Sequence, residues 1–488
     1  MKLSSNPISA SSAVSEFSDF TPLYSEVKYS NPIETFSIFS ETPWSLLLGG
    51  GNCEQDFPLG TNRYSYIATS PFLKISSRDG KIKVNNHYIN EKVDLLSYIQ
   101  KLSKQYPLNT IPDLPPFQGG ILGLLSYDLC DAYENIQLPE GPINYSALIG
   151  FYDLLHVFDH KELKSWVFSS GLPYINSEKC SIHAENRLNE YINKINSIKT
   201  SIDTPYCSKE KILLQSNFTQ EEYISTVALA KEYIKNGDIF EVNLSQRFSG
   251  KLPEGLNPYV LFKKLYEINP CPFSAFANFG STKILSSSPE RFIQVNKGCV
   301  ETRPIKGTRK RGSTPYEDEL LIQDLIHSEK DKAENIMIVD LMRNDLSRVC
   351  EMNSVTVEAL CAHEIYPKVH HLVSVIKGHL QEDYDVYDLL KNSFPGGSIT
   401  GAPKIRAMEI ISELEPHNRG PYCGNLIIAS FDSQNLDSSI LIRTYVIDSN
   451  VITFHGGGAV TIESDPESEY EETLSKIYVL KDTLEKFL

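Results

Sequence analysis

The sequence has no pair of cysteines spaced C-x-x-C, and its nine cysteines are scattered and odd in number. That excludes a zinc ribbon and a disulfide framework and fits a reducing compartment. No apolar run approaches the roughly 20 residues of a membrane span. Residues 1–19 are rich in serine and lack the apolar core of a signal peptide. They read as a flexible leader ahead of a soluble, cytoplasmic protein. No fixed-period repeat is present, which excludes solenoids and propellers. Basic residues are in deficit: 46 Lys and Arg stand against 62 Asp and Glu, a formal charge of -16. Such a surface repels polyphosphate and excludes nucleic acid as the main partner. It leaves room for one locally basic pocket that holds a small anion.

What is present is an ordinary globular balance, 41% apolar and 22% charged over 488 residues. That length exceeds one core of common size, so two domains or one large composite domain is expected. Residues 20–170 are strand-rich. Runs at 63–68 and 156–158 read as strands, and Arg78-Asp79-Gly80-Lys81 as a turn between two more. Residues 171–217 read as a polar helix followed by a linker. The second half, 218–488, opens with Thr219 and Glu222, a capping box ahead of a helix that stops at Asn236-Gly237. Residues 239–248 alternate, which predicts a half-buried strand with Phe240, Val242 and Leu244 inward and Glu241, Asn243 and Ser245 outward. Helical patterns recur at 315–328, 331–346, 403–414 and 469–488, with strands at 424–431, 439–448 and 451–455. Antiparallel strands with interspersed helices give an α+β class: large antiparallel sheets flanked by helices.

Five clusters could carry chemistry. Ser286-Ser287-Ser288-Pro289-Glu290-Arg291-Phe292 and Arg303-Pro304-Ile305-Lys306-Gly307-Thr308-Arg309 flank a hairpin turn at Asn296-Lys297-Gly298. That spacing allows Glu290 and Lys306 to share neighbouring strands. A carboxyl facing a lysine suits amine nucleophilic catalysis with an acid partner. A solvated ion pair has the same pattern, and residue types alone favour it. The run from Phe394 to Lys404 is glycine-rich, but Ala402-Pro403 intervene where a phosphate loop needs Lys next to its glycine. What survives is a turn into a helix with Pro403 near its first position, whose free N–H groups can hold a carboxylate. Gly456-Gly457-Gly458 follows a strand and offers the same facility, or a tight turn. Last, Asp331 and Glu334 share one helix face, and Glu469, Glu472 and Lys476 another. The opposite stripe of that second helix is Leu474, Ile477, Leu480, Leu484 and Leu488. Two carboxylates from two helices, completed by substrate and water, suit Mg²⁺. A solvated Glu–Lys face has the same spacing.

The order of these motifs resembles the chorismate-utilising enzymes, which include anthranilate synthase component I. The matching runs in this sequence are Gly237-Asp238-Ile239-Phe240-Glu241-Val242-Asn243-Leu244-Ser245-Gln246-Arg247-Phe248, Ser288-Pro289-Glu290-Arg291-Phe292, and residues 333–346 with Asp340-Leu341-Met342-Arg343-Asn344-Asp345. Gly401-Ala402-Pro403-Lys404 and Glu471-Glu472-Thr473-Leu474-Ser475-Lys476 complete the set. The first half joins through Arg63-Tyr64-Ser65-Tyr66-Ile67 and Phe117-Gln118-Gly119-Gly120-Ile121. The resemblance implies an N-terminal domain at 20–170 like that of anthranilate synthase component I, and a chorismate-binding catalytic domain at 218–488.

Within the family, anthranilate synthases carry alanine in the Pro-Ile-x-Gly-Thr motif and aminodeoxychorismate synthases carry lysine. Lys306, with Asn243, resembles the second branch, whose product leads to 4-aminobenzoate and folate. Anthranilate synthesis and a non-catalytic chorismate-binding subunit are the alternatives. The resemblance implies Lys306 as nucleophile, neutral through a depressed pKa, and Glu290 as acid. It implies Glu334 and Glu472 as Mg²⁺ ligands, with Asp331 and Glu469 nearby. Arg443, Tyr422, Lys476 and the backbone of Gly307, Thr308, Gly456, Gly457 and Gly458 hold the substrate carboxylates, and His371 and Ser398 line the pocket. No cysteine sits in a glutaminase context, so ammonia is expected from a glutamine amidotransferase subunit. Lys310 replaces the family's usual proline. Leu46-Leu47-Leu48-Gly49-Gly50-Gly51 replaces the Leu-Glu-Ser run that recognises inhibitory tryptophan, so tryptophan control does not carry over.

Overall fold

The computed structural model describes residues 21–50, 61, 63–141, 145–197 and 212–486. The leader at 1–19, the linker at 198–211 and Leu488 lie outside the described residues. The described residues build two antiparallel sheets of 12 strands each. Both sheets are shared by the two halves of the sequence. In the first, Ser45–Leu48 pairs with Phe273–Asn278. In the second, Gly120–Leu125 pairs with Asn425–Ala429. Both N-terminal strands are buried along their whole length, as continuous apolar runs require when a sheet is covered on both faces. Gly120 permits the second joint: a Cβ there would lie 2.5 Å from the Ala429 carbonyl oxygen.

The sheets pack face to face. Leu46, Leu48, Tyr66, Val157 and Ala275 of the first meet Leu122, Leu124, Leu148, Leu426 and Ile428 of the second. Helices close the outer faces. Ser177–Asn196, Pro258–Ile268 and Pro466–Glu485 cover the first sheet, the last through Ile477, Leu480 and Leu484. Leu95–Ser103, Glu329–Ser347 and Val386–Ser393 cover the second. This is the α+β arrangement that the alternation of strands and helices implies. The capping box forms as read: Thr219 accepts from the Glu222 N–H, and the Glu222 carboxylate accepts from the Thr219 N–H.

Four local readings differ. Residues 439–448 are not one strand. Asn435–Ile440 lies in the second sheet and Thr444–Asp448 in the first, and the chain crosses between them at 441–443. The chain also crosses at 289–290, between Thr282–Ser288 and Arg291–Asn296. Glu290 and Lys306 therefore do not sit on neighbouring strands. Cys299–Thr302 and Val369–His379 intervene, although the hairpin turn at Lys297 and Gly298 is present. Gly456-Gly457-Gly458 is not a turn either: Val451–Val460 runs through it, paired with Glu241–Lys251. Pro403 is the N-cap of Lys404–Leu414, one position earlier than read, and Lys404 points inward.

Lys404 Nζ donates to Asp345 Oδ2 at 2.5 Å and to the Ser393 carbonyl at 2.9 Å, all in the interior. The lysine of the glycine-rich run thus ties three helices together, Lys404–Leu414, Glu329–Ser347 and Val386–Ser393. Lys404→Ala leaves Asp345 buried without its partner and should cost about 3–5 kcal/mol. Urea unfolding followed by fluorescence measures it; an unchanged midpoint would contradict this role.

Candidate active site

The site lies where the chain passes between the sheets. Glu290 and Arg443 occupy the two crossings described above. A crossing needs a sharp change of direction, and Arg443 makes it with φ 50°, in the left-handed region. Non-glycine residues pay for that conformation, so its persistence marks a position fixed by its surroundings. Among the described residues Arg443 has no carboxylate partner. Its charge reaches Glu290, His371 and Cys271.

Lys306 lies on Ile305–Lys310, at the edge of the second sheet. The pairing with Val369–His379 slips between Lys306 and Thr308, with Gly307 at the bulge and φ 81°. A Cβ on Gly307 would press against Asp331 Cβ at 3.0 Å, so glycine is required for space as well as for dihedral. Past the bulge, Thr308 Oγ1 meets His371 Nδ1 at 2.8 Å. Burial, helped by Arg443, takes His371 down to about 3, which leaves a neutral ring. Its Nε2 is buried with no hydrogen-bond partner.

Lys306 is 9% exposed, and its Nζ donates to Glu241 Oε1 at 2.8 Å. The expectation of a depressed pKa fails here. Burial pulls the amine down, but the charges of Glu241, Glu334 and Glu290 outweigh it and hold the group above its ordinary value. In this state Lys306 is an ammonium. Sequence reasoning missed Glu241, because alternation placed Phe240 inside and Glu241 outside. In the structure Phe240 is 70% exposed and Glu241 is 0% exposed. Glu241–Lys251 is buried on both faces over its first turns of alternation, with Val242, Leu244, Ser245 and Gln246 all interior. The available signal was chemical: a lysine placed in a pocket requires a carboxylate, and Glu241 lies in a matching run.

Glu290 is 6% exposed and accepts from Ser398 Oγ at 2.8 Å. Burial lifts its pKa to about 7, against the opposing pull of Ser398, Lys306, the Ile305 N–H and Arg443. Ser398 is presented by the short turn Gly397–Ile399. Arg419, also missed from sequence, braces that turn. It donates to the Ile399 and Asn243 carbonyls and pairs with Glu415. Asn243 in turn donates weakly to Glu241 Oε1 and to the Ser398 carbonyl, both at 3.4 Å.

The glycine triplet opens the far wall. A Cβ on Gly457 would lie 2.9 Å from the Tyr422 hydroxyl, and one on Gly458 2.9 Å from Glu469 Oε2 and 3.4 Å from Glu472 Oε1. Tyr422 is held flat by His455, ring to ring at 4.5 Å. Glu334, on Glu329–Ser347, has a buried Oε1 with no hydrogen-bond partner, and burial lifts its pKa to about 7. Glu469 Oε2 is likewise buried and unpartnered. Burial also raises Glu472, but Lys476, Lys330 and Lys306 outweigh it and leave the carboxyl below its usual value. Lys476 Nζ stands 2.6 Å from Glu472 Oε1, and both are about half exposed. Asp331 is taken by Arg309 at 3.1 Å. Among the described residues no group of three or more His, Cys, Asp or Glu side chains is arranged to hold a metal by itself. Glu334 Oε1, with Lys330 at 3.8 Å but no hydrogen bond, and Glu469 Oε2, on two separate helices, still fit a hard divalent cation that takes its remaining ligands from substrate and water.

This fold and this pocket are those of a chorismate-utilising enzyme. The model of the chorismate binding enzyme family matches residues 54–482, and the chain belongs to that family. Relatives of two names match along most of their length. It is 35% identical to anthranilate synthase component 1 of Acetivibrio thermocellus over 93% of each chain. It is 36% identical to aminodeoxychorismate synthase component 1 of Escherichia coli, over 92% of this chain and 95% of that one. Among solved structures, anthranilate synthase component I from Streptococcus pneumoniae superposes with a TM-score of 0.77 at 31% identity, covering 88% of this chain and 94% of that one. The menaquinone-specific isochorismate synthase from Escherichia coli shares the fold, with a TM-score of 0.69 at 18% identity over 95% of each chain. No described helix is long and apolar enough to cross a membrane.

Gly458→Ala tests the far wall. Its nearest obstacles are carboxylate ends, which can shift, so the strand should tolerate it. Chorismate affinity by calorimetry should fall about tenfold, a loss of about 1.4 kcal/mol, with melting temperature nearly unchanged. Wild-type affinity would show that the two carboxylates do not shape the site.

Proposed function

We propose that the chain is component I of an aminodeoxychorismate synthase. It converts chorismate and ammonia to 4-amino-4-deoxychorismate, with Lys306 as covalent nucleophile. Relatives of both branches match equally well, so their names do not choose. Lys306 carries the reading: a buried amine in the site, electrostatically coupled to a buried acid, Glu290.

In this chemistry the Lys306 amine bonds to C2 of chorismate, the ring double bond shifts, and the C4 hydroxyl leaves as water. Glu290 supplies that proton. Its pKa of about 7 leaves it largely protonated below neutrality, which an acid of this kind requires. Ammonia then bonds to C4, the double bond shifts back, and the lysine departs from C2. Two displacements retain configuration. An alanine at this position leaves C2 open to ammonia, which gives the anthranilate series.

The neutral His371 offers its unpaired Nε2 to the departing hydroxyl. Arg443, with no carboxylate partner among the described residues, presents a planar fork to one substrate carboxylate. Lys476, Tyr422 and the backbone of Gly307, Thr308, Gly456, Gly457 and Gly458 complete the cradle. Glu334 and Glu472 would hold Mg²⁺, with Glu469 beside them and Asp331 pinned by Arg309. When bound, Mg²⁺ neutralises a substrate carboxylate. Ammonia comes from a separate glutamine amidotransferase subunit, and the product feeds 4-aminobenzoate and folate synthesis.

The deciding experiment supplies chorismate, Mg²⁺ and ammonium salt and identifies the product by chromatography. Aminodeoxychorismate supports the reading; anthranilate, or no turnover, overturns it. Lys306→Ala should abolish aminodeoxychorismate while keeping chorismate binding. Glu290→Gln should slow turnover about 10²-fold or more. Because Glu290 acts in its protonated form, kcat at constant free ammonia should fall as pH rises through about 7, and Glu290→Gln should lack that limb. Glu334→Gln and Glu472→Gln should each lose Mg²⁺-dependent turnover with the fold intact.

A further inference from the structure

We propose that Glu241 is the proton acceptor that converts Lys306 from ammonium to nucleophilic amine, and the donor that returns the proton when the lysine leaves. This rests on the proposed covalent role of Lys306. The observations are geometric. Glu241 is fully buried, and its Oε1 receives the Lys306 Nζ–H at 2.8 Å. Among the described residues, Oε1 is approached besides Lys306 only by the Asn243 amide, at 3.4 Å, and Oε2 is buried with no hydrogen-bond partner. The carboxylate is therefore not spent on a structural network, in contrast to Glu415, whose two oxygens are engaged by Arg419 and Ser245.

The site also needs such a group. Lys306 rests as an ammonium, and an ammonium has no lone pair with which to attack C2. Three carboxylates face it: Glu241 on the Glu241–Lys251 strand, Glu290 at the sheet crossing and Glu334 on the Glu329–Ser347 helix; Glu472 senses it from a further helix. Glu290 must carry a proton of its own to release water from C4. Glu241 is the carboxylate in hydrogen-bond contact with Nζ.

The balance closes. Lys306–NH₃⁺ gives one proton to Glu241. The amine lone pair forms the N–C2 bond, the electron pair of the ring double bond shifts, and the C4–O bond breaks to release water with the Glu290 proton. The secondary ammonium so formed loses a proton to the Glu290 carboxylate. Ammonia then forms the N–C4 bond and the C2–N bond breaks. The departing lysine nitrogen takes the Glu241 proton, and the new ammonium at C4 gives one proton to the freed Lys306 amine, which restores the resting ammonium and leaves the product as the amine. Each carboxyl group ends as it began once Glu290 keeps the proton it received, and the sum is chorismate plus ammonia giving product plus water.

Glu241→Gln keeps size and hydrogen bonding but cannot take the proton. The wild type and this variant are mixed with chorismate and Mg²⁺ without ammonia, quenched rapidly, and the Lys306 adduct is measured by mass spectrometry across pH. We expect adduct formation and kcat to fall together by about 10²-fold, with chorismate affinity within about threefold of wild type. The variant's rate should climb with pH up to about 7, because the proton must then go to solvent, and level off above it as Glu290 loses its own proton, whereas the wild type should be flat below about 7 and fall above it. Glu241→Asp should restore part of the rate and the wild-type profile shape; it also decides the matter if Glu241→Gln does not fold, since an unaltered rate in the aspartate variant overturns the proposal. An adduct rate in Glu241→Gln equal to wild type, with the same profile, overturns it too. If the wild type makes adduct and product normally in that case, the covalent reading stands and only the role of Glu241 falls. If the wild type makes neither, both fall.

Discussion

An ammonium buried among carboxylates is the constraint on which the site depends. Charges withdrawn from water are costly unless paired, so Lys306 at 9% exposure requires Glu241 at 2.8 Å. That pairing fixes the start of the Glu241–Lys251 strand against the edge of the other sheet. It also couples the ionisation of Lys306 to Glu290 and Glu334, both lifted to about 7 by burial while Lys306 pulls them down. No one of these groups can change its charge without shifting the others. The pocket is poised to exchange protons among neighbours while the net charge of the cluster stays nearly constant.

The fold supplies that cluster by dividing it between two sheets. Strands that remained in one sheet would present their side chains only above and below it. Here the chain leaves one sheet for the other at 289–290 and again at 441–443, and these short crossings aim Glu290 and Arg443 into the gap. A Cβ on Gly307 would meet Asp331, and in the triplet one on Gly456 would meet the Thr473 carbonyl, one on Gly457 the Tyr422 hydroxyl and one on Gly458 the Glu469 carboxylate. The N-terminal half serves this arrangement at a distance. By adding strands to both sheets through Ser45–Leu48 and Gly120–Leu125, it fixes their mutual packing.

Much of this was legible in the sequence, and the failures have specific causes. Alternation and capping residues gave the α+β class and most helices, because those signals are local. The Thr219–Glu222 box forms as read. Glu290 meets Ser398 and Thr308 meets His371, contacts that the sequence reading did not name. The crossing at 441–443 was not legible: 439–448 keeps its apolar alternation straight through the change of sheet. Glu241 was hidden for a related reason. Periodicity assigns the inward face to the apolar residue, but the partner across the gap was a lysine, and this outweighed the burial of Phe240. The protonated state of Lys306 also escaped, since burial alone argues for the neutral form and the opposing charges come from three separate elements.

Relatives of both branches match this chain equally well, so the shared frame does not settle which product forms. On the proposed reading the frame would supply what both chemistries need: an acid near C4, a cradle for two carboxylates and a wall of glycines. The difference lies in what occupies the approach to C2. A lysine there fills the space with a tethered amine, and a tethered amine outcompetes free ammonia because its effective concentration is far higher. The same lysine imposes a requirement that an alanine does not. Its charge must be balanced at rest and its proton removed for reaction, and a second buried group must do both. On the proposed reading Lys306 and Glu241 act as one unit, and changing either alone leaves the other as a buried charge without its partner.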